Sequence, residues 1–178
     1  MDPSSSSLAL WRDVAGAIAC ALLGLVSFGG GRRVPLLEWI DLAIHEAGHV
    51  VTYILPDLIT AMMGSVAQVA VPLAIAAHFL WRRELVSAML CMAWAGTSAR
   101  DASVYIGDAP YERLELIGGT HDWAFALGPD GFDALDRAAA VAAVVHGAGL
   151  AMVAAAVAGC LARPLLLARL EQSGPAGQ

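Results

Sequence analysis

Five apolar stretches divide this chain, at about 8–28, 35–55, 61–81, 84–106 and 134–161. A helix needs roughly 20 residues to cross the hydrocarbon layer of a bilayer. Within lipid it satisfies its backbone hydrogen bonds internally, so each stretch is expected as a helix. The predicted fold is all-α: a polytopic membrane helix bundle of about five transmembrane helices. Composition points the same way. The chain is 58% hydrophobic and only 15% charged, where a soluble domain carries roughly 25% charged residues. With 178 residues, a single integral membrane domain over 1–178 is expected. Pro35 stands where a helix should open and Pro56 where it should close. Pro72 predicts a kink, and the fifth helix is expected to end before Arg163-Pro164. Trp11, Trp39 and Trp81 fall near predicted ends, as interfacial aromatics do.

The connection 107–133 is the one long polar loop, "GDAPYERLELIGGTHDWAFALGPDGFD". Long connections in small domains tend to be functional. Arginines give an orientation. With five spans, Arg32, Arg33, Arg82, Arg83, Arg163 and Arg169 share one side. The amino end is then outside, the carboxyl end cytosolic, and "GGTHDW" faces out. The expected setting is a multi-pass protein of a prokaryotic plasma membrane, with lipid as its constant partner. The amino-terminal "MDPSSSSLALWRDV" lacks a basic leader, so an uncleaved first span is predicted. Cys20, Cys91 and Cys160 share no pairing pattern and read as small buried side chains without a disulfide. The net charge of −6 comes from scattered acids. No basic patch or RNA-binding motif is present, so no nucleic-acid partner is expected.

Inside the second stretch lies His45-Glu46-Ala47-Gly48-His49, an H-E-x-x-H sequence. Residues four apart share a helix face, so His45 and His49 can turn two imidazoles toward one metal ion. Glu46 is close enough to take a proton from a metal-activated water. At this chain's His and Glu usage, a chance match is expected about 0.005 times per chain. The bland reading is a pair of hydrogen-bonded buried histidines. Three ionisable groups at lipid depth are costly without a function, which favours the metal. Asp41, one turn earlier, is expected to accept the second ring N–H of His45.

The remaining polar residues of the spans gather in one layer. Ser65, Gln68, Thr97, Ser98, Arg100, Asp101 and Ser103 all fall in the same outer half as the two histidines. A cavity opening outward is predicted. Catalytic zinc takes three protein ligands and leaves a place for water. The candidates for the third are His121, Asp122, Asp130 and His146, with His121 favoured. The alternatives for Asp122 are that it replaces His121 as ligand or that it orients His121. Read blandly, "GGTHDW" is an interfacial loop anchored by Trp123. Arg100 either pairs with Asp101 or steadies negative charge on a substrate as a catalytic cation. Ser65 reads as packing glue.

An H-E-x-x-H sequence within a spanning helix resembles the site-2 protease family of intramembrane zinc metalloproteases. The likeness covers His45, Glu46, His49 and their apolar context. It implies that the histidines bind Zn2+, that Glu46 is the general base, and that an Asp-Gly on a later helix completes the site. Asp130-Gly131 is the only downstream Asp-Gly, and it lies in a loop-like "LGPDGFD". The function expected is zinc-dependent hydrolysis of a peptide bond in a membrane-protein substrate. The alternatives are a metal-dependent lipid amide or ester hydrolase, and a non-enzymatic metal-binding membrane protein.

Overall fold

Each of the five apolar stretches is helical in the computed structural model, which describes residues 3–30, 33–116 and 120–172. Arg32 and Gly118-Gly119 fall outside these residues, as do the side chains of Arg163 and Arg169. The helices are α1 (Pro3–Gly24), α2 (Leu37–Thr52), α3 (Asp57–Trp81), α4 (Leu85–Asp108), the short α5 (Asp122–Leu127) and α6 (Ala138–Gln172). A π-helical turn, Leu25–Gly29, continues α1, and a 3-10 turn, Leu135–Arg137, leads into α6. Among the described residues there is no strand. Among the described residues, three segments are long and apolar enough to cross a membrane: Ser7–Gly29, Asp57–Trp81 and Leu135–Ala162. The other two long helices carry the polar residues, and α2 has only 16 residues.

Helix α4 is the hub. It packs against α6, α3 and α1, while α1 also lies along α6 and α2 leans on α3. Mostly small side chains make the α1–α4–α6 seam, with Ala17, Cys20, Ala88, Ala93, Ala156 and Cys160 buried together with Met89. At the α4–α6 crossing a Cβ on Gly96 or on Gly149 would lie 2.6 Å from the other's carbonyl oxygen. Backbones approach this closely in apolar surroundings because dispersion between them is the main attraction.

The helix ends differ from the sequence expectation in instructive ways. Pro35 does not open α2. The chain turns at Pro35-Leu36, Leu36 has φ 69°, and the helix begins at Leu37. Arg83 occupies the left-handed position (φ 61°) that usually takes glycine after a helix. There Glu84 N–H reaches back to the Phe79 carbonyl at 2.9 Å and closes α3. The sixth helix does not stop before Arg163-Pro164 but runs through to Gln172. Proline removes one ladder hydrogen bond, which a long apolar helix tolerates. Helix α3 likewise passes through the buried Pro72 without ending.

Candidate metal centre

Two histidines one turn apart on α2 face α3, and glycines let the two helices meet there. A Cβ on Gly48 would lie 2.5 Å from the Met63 carbonyl. A Cβ on Gly64 would lie 2.5 Å from Nε2 of both His45 and His49. The ring centroids of the pair are 4.9 Å apart.

The outer nitrogens fix the state of each ring. His49 Nδ1 is 2.8 Å from the Thr60 carbonyl. A carbonyl only accepts, so Nδ1 carries the proton. His45 Nδ1 is 3.3 Å from Gln68 Oε1. The Gln68 amide nitrogen donates to the Ser98 carbonyl (3.4 Å), which turns its oxygen toward His45. Here too Nδ1 is the donor. In the neutral rings both Nε2 atoms are therefore bare lone pairs. The expectation that Asp41 orients His45 is corrected: Asp41 Oδ1 instead accepts Trp94 Nε1–H (2.8 Å) and the Ser98 hydroxyl (3.0 Å) from α4.

Asp122 completes the cluster. Its Oδ2 lies 3.2 Å from His45 Nε2 and 3.2 Å from His49 Nε2. Among the described residues these three form the group whose ligand atoms lie within 4.8 Å of one another. With Nδ1 carrying the proton on each neutral ring, a divalent ion between the three groups would satisfy both Nε2 lone pairs and the carboxylate oxygen at once. The 3.2 Å spacing matches two ligands that share one ion at roughly 2.0–2.2 Å each. The donor set thus fits zinc: two imidazoles and one carboxylate, each imidazole held by a second hydrogen bond.

Asp122 reaches this point because α5 is pinned on three sides. His121 precedes the helix, and its Nδ1 accepts Ala124 N–H (3.1 Å) as a cap. Trp123 is buried, with Nε1–H donating to Ser65 Oγ on α3 (2.9 Å). Tyr105 on α4 accepts Asp122 N–H (3.0 Å) and donates to Asp122 Oδ2 (3.2 Å). Trp123 is thus no interfacial anchor, and Ser65 is a packing partner.

A cavity of about 310 Å³ opens beside the cluster. Its walls include Glu46, Gln68, Asp101 and Tyr105, with Leu114 and Leu116 from the following segment. Glu46 is exposed into this space.

Other expected site residues are not brought to the cluster. His121, the favoured third ligand, is buried and stacks on Tyr105 with ring centroids 4.3 Å apart. Its Nε2 faces Asp108 Oδ2 at 3.5 Å without a hydrogen bond. Asp130 lies exposed in the turn after α5. His146 is exposed on α6 and meets Phe28 edge-on at 5.0 Å. Arg100 Nη1 is 2.9 Å from Asp101 Oδ1, and only Asp101 of that pair lines the cavity.

Tyr105 and the Thr60 carbonyl went unread in the sequence. A signal for Tyr105 existed: Trp94, Ser98, Asp101, Tyr105 and Asp108 recur at four- and three-residue intervals on α4, one polar helix face. Comparison with protein-family models, curated proteins and solved structures returns no match.

Proposed function

We propose that this protein is a multi-pass intramembrane peptidase that uses one zinc ion held by His45, His49 and Asp122. One observation carries the reading: both bare imidazole nitrogens of the H-E-x-x-H pair meet a carboxylate at 3.2 Å, beside a cavity that Glu46 shares. The three long apolar helices support a membrane setting. With α2 and α4 embedded beside them the chain would cross five times, amino end outside.

Zinc held by these three residues would supply Lewis-acid polarisation of a carbonyl and would lower the pKa of a water toward ~7. The chain's own groups do the rest. Glu46 takes a proton from the attacking water through its carboxylate as the carbon–oxygen bond forms. It returns that proton to the amide nitrogen as the carbon–nitrogen bond breaks. His45 and His49 are held through Nδ1–H by Gln68 and Thr60, which would keep both Nε2 atoms turned toward the ion. The cavity admits water to an otherwise apolar environment. A peptide must enter extended or unwound, because a helix hides its carbonyls.

The test is Glu46→Gln. Zinc content, measured by elemental analysis of the purified protein, should equal that of wild type. Hydrolysis of a membrane-protein substrate should fall by roughly 10²–10⁴-fold, the usual weight of a general base. Undiminished hydrolysis removes Glu46 from the mechanism. Products analysed by mass spectrometry separate peptide cleavage from lipid amide or ester cleavage.

A further inference from the structure

Asp122 presents a physical difficulty that the two histidines do not. Each imidazole is held from behind by its Nδ1–H. The carboxylate sits in the connection between α4 and α6, with its Oδ2 3.2 Å from both Nε2 atoms. On the six-residue α5 its side chain has rotamer freedom that the two ring-held imidazoles lack.

One hydroxyl opposes this. Tyr105 Oη accepts the Asp122 backbone N–H at 3.0 Å and donates to Oδ2 at 3.2 Å. Asp122 is the first residue of α5. A first-turn N–H has no partner inside its helix, so this contact is not secondary structure. The tyrosine ring is held in turn. It stacks on buried His121 (interplanar angle 29°) and stands 5.9 Å from the His45 ring. Its hydroxyl therefore cannot turn away without losing both contacts.

We propose that Tyr105 is the positioning residue that presets Asp122 as a metal ligand, its one hydroxyl clamping both the backbone N–H and the ligand oxygen of that residue. The proposal rests on the metal centre described above and adds to it a reason why the third ligand stays in place while the site waits for its ion.

Tyr105→Phe keeps the ring that stacks on His121 and removes only the hydroxyl. Zinc affinity, measured by competition with a chromophoric chelator in detergent, should fall roughly 10–100-fold, as for other residues that orient a metal ligand. In an Asp122→Ala background the same change should have no further effect, because the clamped group is gone. A purely structural role would weaken both backgrounds alike, and that additive result overturns the proposal. So does wild-type affinity in Tyr105→Phe. A wild-type protein that binds no zinc sinks the metal centre itself, a separate failure. Hydrogen exchange on the metal-free wild type needs no variant: Asp122 N–H should be protected, and rapid exchange there also overturns the clamp.

Discussion

The α1–α4–α6 seam and the α2–α3–α5 quarter are built on opposite principles within one bundle. The seam excludes everything: Ala, Gly and Cys side chains bring backbones together until a single Cβ would not fit at Gly96 or Gly149. The other quarter is held apart. Helix α2 leans mainly on α3, with Trp94 and Ser98 of α4 donating hydrogen bonds to Asp41, and the cavity lies in the space left over. Close packing makes the seam insensitive to chemistry and intolerant of volume. Polar groups in the open quarter must each find a partner, so that quarter is intolerant of lost hydrogen bonds. Tight glycine contacts occur in both, yet for different ends. Gly149 admits another backbone, while Gly64 leaves room beside two imidazole nitrogens.

That contrast can be broken by one methyl group placed in each region. Gly64→Ala should have the largest effect on binding, because the new Cβ lies 2.5 Å from both Nε2 atoms. Zinc affinity should drop more than ~100-fold, beyond the loss typical of an orienting residue. Thermal stability in detergent should fall less than in Gly149→Ala, because side chains rather than a backbone must give way. Gly149→Ala should do the reverse. Its Cβ meets a backbone oxygen, which cannot yield without separating α4 from α6, and overpacking of this kind costs about 1–3 kcal/mol. Zinc affinity of the folded fraction should match wild type. If both alanines lowered stability and left affinity intact, the distinction between the regions would be void. The smallest effect sharpens the joint between them. Trp94→Phe removes one of two hydrogen bonds to Asp41 and should cost about 0.6 kcal/mol, the average for such contacts between membrane helices. Zinc affinity, read by chelator competition, should hold, because Asp41 bonds to Trp94 and Ser98 rather than to either histidine ring.

Asp130 marks the limit of motif reasoning here. The resemblance assigns the third ligand to an Asp-Gly pair, and the fold leaves that pair exposed in a turn after α5. Sequence reasoning named both His121 and Asp122 and favoured His121, one residue away from the member of the cluster. Residues adjacent at a helix start point in different directions. His121 turns back to cap Ala124, and Asp122 turns out toward α2.

The sequence by itself determined the long helices and the pairing of His45 with His49. Each follows from periodicity or from side chains one turn apart, which short-range geometry dictates. Tertiary structure alone decided that Asp122, 77 residues from His45, is their companion. That choice depends on where α4 ends, on Trp123 finding Ser65, and on Tyr105 holding a backbone N–H that no helix could satisfy. Such contacts join residues whose separation along the chain carries no period. They come to exist only once the helices have packed.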